Sequence, residues 1–180
     1  IPFTPGLGFH IPNCFDKVLH IDTCHLMDDL NNTIRNSIYH YALEHGFTFY
    51  NEHTHQGQLR NLIIRNNHHN EWMVIVVFGT EPDMELMEYI HRSFPQVISL
   101  MYCVNTKLND SISDLPIETY FGQDYIVEQM ENLTFKVGPK SFYQTNTRQA
   151  YELYKIVRLF AIGGADHTQR LSSPLPIIYD

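Results

Sequence analysis

The chain has little of what holds small secreted folds together. Its three cysteines, Cys14, Cys24 and Cys103, are odd in number and widely spaced, so they spell neither a disulfide framework nor a complete metal site. Positive charge is scarce as well. Twelve Lys and Arg stand against twenty Asp and Glu, a formal charge of −8 over 180 residues. That balance argues against nucleic-acid binding driven by counterion release from this polypeptide alone, and an RNA partner would need basic surface from elsewhere. No apolar run approaches the ~20 residues that cross a bilayer. The opening IPFTPGLGFH lacks the basic start and apolar core of a secretory signal. We therefore expect no membrane contact and a cytoplasmic location. No Met opens the chain, which suggests a piece of a longer polypeptide. Nucleophile-elbow and Cys/His signatures are absent, and Gly163-Gly164 lacks the spacing and following Lys-Ser or Lys-Thr of a phosphate-cradling loop.

What the chain does have is a hydrophobic pattern that alternates between periods of two and about 3.6 residues. FDKVLHI, Phe15 to Ile21, alternates like a strand. From Thr23 to His45, Leu26, Leu30, Ile34, Ile38 and Tyr41 recur at helical spacing, with Gly46 placed to end the helix. FTFYNEH and QLRNLIIR flank a turn containing Gly57 and read as a hairpin. WMVIVVFG, Trp72 to Gly79, is almost continuously apolar and β-branched, the pattern of a strand buried on both faces. Pro82 near a helix start, then Leu86, Ile90 and Phe94 before Pro95, mark a second helix. VISLMYCVN is another buried strand, and TKLNDSISDLP a long polar surface loop. ETYFG, YIVEQM and LTFKV add short strands to a mixed sheet. A third helix starts near Asn146, with Gln149 in capping-box register and Ala150, Leu153, Tyr154, Val157 and Ala161 on one face.

This order predicts an α+β fold: a mixed, largely antiparallel sheet with two helices on one face, and a third helix apart from it. We expect a central domain over residues 1–134 and the start of a second domain over 135–180. The apolar face of the third helix would then need a partner, and in this chain alone it should drive homodimerisation or disorder.

Eleven histidines raise the question of metal. His53 and His55, beside Glu52, would point the same way on a strand, and His68-His69 lie together in the polar turn NNHHNE. A third ligand at suitable spacing is missing, so solvated or hairpin-stabilising histidines are the stronger reading. Arg60 and Arg65, in the same hairpin, could meet RNA phosphates; solvated edge-strand charges are the plainer alternative.

Three patterns in order carry more information. LGFH with FDKVLHIDTCHL, then QGQLRNLIIR, then GQDYIVEQMENLTFKVGPKSFYQTN followed by a helix, resemble the central region and catalytic-domain entry of the RNA (uracil-5-)-methyltransferase family, closest to its 23S ribosomal RNA members. The similarity runs from about Leu7 to Ala161, and its most discriminating element is Phe142-x-Gln144-x-Asn146.

The resemblance implies that SFYQTN lies where S-adenosylmethionine and an extruded uridine meet. Phe142 would supply an aromatic wall, Gln144 would hydrogen-bond in the cofactor and base pocket, and Asn146 would cap the helix while shaping the loop. Such groups replace part of the stacking and pairing that an extruded base loses. The resemblance also likens Cys24, in IDTCHL, to the fourth ligand of a [4Fe–4S] cluster whose other three cysteines this chain does not contain, so the chain alone cannot hold one. The family's nucleophilic Cys, carboxylate base and Gly-rich cofactor loop lie in motifs that this sequence does not include, so no catalytic residue is assigned. PIIYD, Pro176 to Asp180, reads like the first strand of the cofactor-binding sheet, after the long polar segment Gly163 to Pro176. The expected whole is a ribosomal RNA uracil-C5 methyltransferase, with these 180 residues inactive by themselves. The alternative is a non-catalytic RNA-recognition or scaffolding domain with the same central fold.

Overall fold

The structure, a computed structural model, describes residues 6–161. Two compact units divide the chain, the first ending at Phe142 and the second beginning at Tyr143.

The first unit opens with an antiparallel pair, β1 (Gly8–Ile11) and β2 (Cys14–His20). β2 matches the alternating Phe15 to Ile21 segment, and Asn13 at φ 62° makes the turn between the strands. α1 (Asp29–Glu44) follows. Its start falls later than the periodicity predicts, because Asp28 takes the N-cap and accepts a hydrogen bond from the Leu30 amide at 3.1 Å. Leu26, read as the first residue of the apolar stripe, sits in the preceding turn and is 98% exposed. At the other end Gly46 has φ 71°, the left-handed conformation that closes a helix.

A four-stranded sheet in the order β3-β4-β5-β6 forms the centre, built from β3 (Leu59–Asn66), β4 (Trp72–Phe78), β5 (Val97–Val104) and β6 (Glu118–Gly122). β3 and β6 run antiparallel to their neighbours, and β4 and β5 run parallel across α2 (Met84–Ser93). Every side chain of β4 is buried, as its apolar run predicts; each such side chain is worth roughly 1.5–3 kcal/mol over an exposed one. Trp72, Val74, Val76 and Phe78 share one core with Ile34 and Ile38 of α1 and Leu86, Met87 and Ile90 of α2. Alternate residues of a strand face the same way, so both helices cover one face of the sheet, as expected. Met73, Ile75 and Val77 point to the other face and are buried as well.

Two assignments change. The hairpin around Gly57 does not form: residues 47–53 make only isolated bridges, Phe49 with Leu59 and Asn51 with Gln56, and β3 takes β4 as its antiparallel partner instead. The turn of that hairpin is 67–71, within NNHHNE, where the Asn67 side chain accepts from the amides of His69 and Glu71 at 3.0 Å each. Gly57 is needed for another reason, since a Cβ there would lie 2.4 Å from Tyr50 Cα. Second, β7 (Ile126–Met130) and β8 (Leu133–Val137) do not extend the sheet but pair with each other as a separate antiparallel ribbon. Buried Glu128 of β7 meets His68 Nδ1 at 2.5 Å, and Asn67 Nδ2 donates to Val127 O at 2.8 Å, which ties this ribbon to the β3–β4 turn.

In the second unit the described element is α3 (Thr147–Ala161). Leu153, Tyr154, Ile156, Val157, Leu159 and Phe160 are 40–77% exposed on it. No helix among the described residues is long and apolar enough to cross a membrane. The PIIYD segment and the polar stretch before it lie outside the described residues.

Candidate functional site

β8 leads into a turn that delivers the chain to Phe142. Ser141 closes it twice: its amide donates to Gly138 O at 3.1 Å, and its Oγ accepts from the Gly138 amide at 3.1 Å. Arg65 reaches the turn from β3, donating through Nη1 to Gly138 O at 3.3 Å and Ser141 O at 2.7 Å. Lys140 Nζ donates to Leu115 O at 2.7 Å. The next residue, Phe142, ends the first unit and is 85% exposed. A phenyl ring left in water contributes nothing to a core and is available as a wall for a flat ligand.

The unit boundary runs through the triplet, so Gln144 and Asn146 belong to the second unit. Gln144 is exposed. Asn146 is the N-cap of α3: its Oδ1 accepts from the Gln149 amide at 3.1 Å and its carbonyl from the Ala150 amide at 2.9 Å. The helix start matches the sequence reading, and the cap commits the Asn146 side-chain oxygen to the helix.

Cys24 lies in a loop whose main chain is held by hydrogen bonds from side chains of α1. The Asn32 carboxamide accepts from the Cys24 amide at 2.9 Å and donates to the Cys24 carbonyl at 3.1 Å. Arg35 Nη2 donates to the carbonyls of Ile21 at 2.9 Å and Asp22 at 3.0 Å, and Asn36 Nδ2 donates to Asp22 O at 2.8 Å. Asn32 and Arg35 are buried. Sequence reasoning passed over both, although polar residues at Asn31, Asn32 and Arg35 among the inward apolar positions of an amphipathic helix were a readable sign that this helix binds main chain as well as core. Cys14 and Cys24 are half-buried, and burial pushes the Cys103 thiol above its ordinary value. Among the described residues no group of three or more His, Cys, Asp or Glu is placed to hold a metal. Cys24 alone does not fit an iron–sulfur cluster, which needs a full set of thiolates.

The histidine pairs have other partners. His53 and His55 lie in a tight turn rather than on a strand; His53 Nε2 meets Asp16 Oδ2 at 2.9 Å and His55 Nδ1 meets the Tyr50 hydroxyl at 3.2 Å. The two arginines have protein partners, with Arg65 half-buried. Arg60, its side chain 1% exposed, donates to the carbonyls of Asn105 at 2.9 Å and Lys107 at 2.5 Å, pairs with Asp110 at 3.2 Å and lies over the Tyr50 ring. It fastens the predicted 106–116 loop to β3, and Arg65 does the same for the 138–141 turn.

No family model matches the sequence. Individual relatives do. An uncharacterized RNA methyltransferase of Bacteroides thetaiotaomicron is 52% identical over 162 residues, 87% of this chain and 36% of the relative. One of Porphyromonas gingivalis is 46% identical over 161 residues, 87% of this chain and 35% of the relative. Over most of its own length the chain is similar to RNA methyltransferases. It spans about a third of the length of these relatives. Among solved structures, the tRNA (uracil-54, C5)-methyltransferase of Pyrococcus abyssi in complex with S-adenosyl-L-homocysteine matches with a TM-score of 0.64 and 25% identity, over 79% of this chain and 35% of that one.

Proposed function

We propose that this chain is part of an S-adenosylmethionine-dependent enzyme that methylates C5 of a uridine in 23S ribosomal RNA. The observation that carries the uracil-C5 chemistry is the likeness, at TM-score 0.64, to a methyltransferase acting on uracil C5 with S-adenosyl-L-homocysteine bound. The similarity to RNA methyltransferases, 52% and 46% identical over 87% of this chain, supports it. The cofactor supplies an electrophilic methyl group. This chain's residues supply recognition: the exposed Phe142 ring is the wall against which cofactor and extruded uracil rest, the Gln144 carboxamide pairs with polar edges in that pocket, and Asn146 fixes where the helix begins. None of these side chains is a nucleophile or base for the C5 proton, and the 180 residues alone are inactive. Cys24 is at most a single cluster ligand whose partners would come from outside the chain.

A second reading of the substrate has its own support, since the structural relative acts on tRNA. The experiment is methyl transfer by the full-length protein to 23S ribosomal RNA and tRNA transcripts, with the product base identified. Methyluracil in the ribosomal transcript alone supports the proposal. Methylation of tRNA alone replaces the substrate, and product at a base other than uracil overturns the reading. RNA binding without methyl transfer by the full-length protein would favour a recognition or scaffolding role.

A further inference from the structure

We propose that Arg65 is a positioning residue for the cofactor and base segment; this rests on the reading of Phe142, Gln144 and Asn146 given above. Arg65 lies on β3 and alternates with Leu62 and Ile64, which pack toward the helices, so its side chain leaves the opposite face of the sheet. There one nitrogen, Nη1, holds both ends of the 138–141 turn. The 2.7 Å bond is to the carbonyl of Ser141, which belongs to the same rigid peptide plane as the Phe142 nitrogen. Holding that plane sets the direction in which the chain leaves β8 toward SFYQTN.

Three observations separate this from general fastening of the β7–β8 ribbon. The ribbon is already tied without Arg65, by Asn67 to Val127 and His68 to Glu128, which lie opposite Lys136 and Phe135. The turn is already closed internally by both hydrogen bonds of Ser141. And Arg65 forms no ion pair with a carboxylate among the described residues, although the chain is acidic overall, so its partly desolvated charge is spent on two main-chain carbonyls. What Arg65 adds is the placement of the last peptide before Phe142.

The test uses Arg65→Gln and Arg65→Lys in the full-length protein, with kinetics and amide hydrogen exchange. Arg65→Gln should lower kcat/KM for uracil methylation by about ten- to a hundredfold, the scale of a roughly 1 Å misplacement. It should also speed exchange over residues 141–146 while leaving β4 at the wild-type rate. Arg65→Lys, which keeps a charged donor able to reach one carbonyl, should recover part of both. Wild-type kcat and KM in Arg65→Gln, or unaltered exchange at 141–146, would overturn the proposal. If the wild-type protein itself does not methylate uracil, the underlying reading fails, and the exchange measurement still decides whether Arg65 holds the segment.

Discussion

The carboxamide of Asn32 closes a two-bond ring on the main chain of Cys24, accepting from its amide at 2.9 Å and donating to its carbonyl at 3.1 Å. With Arg35 on the carbonyls of Ile21 and Asp22, it makes the IDTC loop an extension of α1. Asn32→Ala removes both bonds and takes the Asn32 partner from the part-buried Cys24 amide, while the Cys24 carbonyl keeps the Met27 amide at 3.3 Å, so denaturant unfolding should show a loss of about 1–3 kcal/mol. The Cys24 thiol should also react faster with a thiol reagent than in the parent. Equal stability together with equal Cys24 reactivity would mean the loop holds its shape without Asn32.

The triplet divides into residues that cost stability and residues that do not. Phe142 and Gln144 are exposed, so Phe142→Ala and Gln144→Ala should leave unfolding within about 0.5 kcal/mol of the parent. Asn146→Ala deletes the α3 cap and should cost about 1 kcal/mol, read as lost helicity over 147–161. In the full-length enzyme the first two should still impair methylation. Stable and fully active Phe142→Ala and Gln144→Ala proteins would remove these side chains from the site.

The His53–Asp16 contact gives the β2 strand a pH signature. The hydrogen bond from His53 comes first among the causes that hold the Asp16 carboxyl below its ordinary value. A carboxyl with a folded value below its unfolded one, near 3.9, stabilises the fold above about pH 4 and loses that contribution as pH falls through the lowered value. Melting temperatures of the parent and Asp16→Asn should therefore differ at pH 5 and converge as pH falls through the lowered Asp16 value. A constant gap across that range would show that the contact does not titrate with Asp16.

The exposed apolar side chains of α3 suggest self-association. We expect the 180-residue chain to form a dimer that dissociates on dilution, and Leu153→Glu with Val157→Glu to make it monomeric at every concentration in sedimentation. A parent chain that stays monomeric at high concentration, with its α3 amides protected, would exclude that use of the face.

Much of the core was legible because single elements declared themselves. The Trp72 to Phe78 run needed no context to read as a doubly buried strand, and α2 was bracketed by Pro82 and Pro95. The errors came where two local patterns competed. Leu26 continued the apolar period of α1, but Asp28 offered a better cap and the helix started there. FTFYNEH has strand composition, yet β4 is the longer and more apolar partner for β3, and the closer segment was left with isolated bridges. Arg60 and Arg65 have the same composition as surface charges, and only tertiary placement reveals the carbonyls they hold. In the candidate site, the Asn146 cap was visible from its offset to Gln149. The exposure of Phe142 was not, because an aromatic residue after a strand reads equally well as core.

The most direct measurement is release of tritium from RNA carrying uracil labelled at C5, incubated with S-adenosylmethionine and the full-length protein. C5 methylation must expel that hydrogen, so the account predicts release that requires the cofactor and falls sharply in Gln144→Ala. Methyl incorporation without tritium release would place the chemistry at another atom and contradict the account.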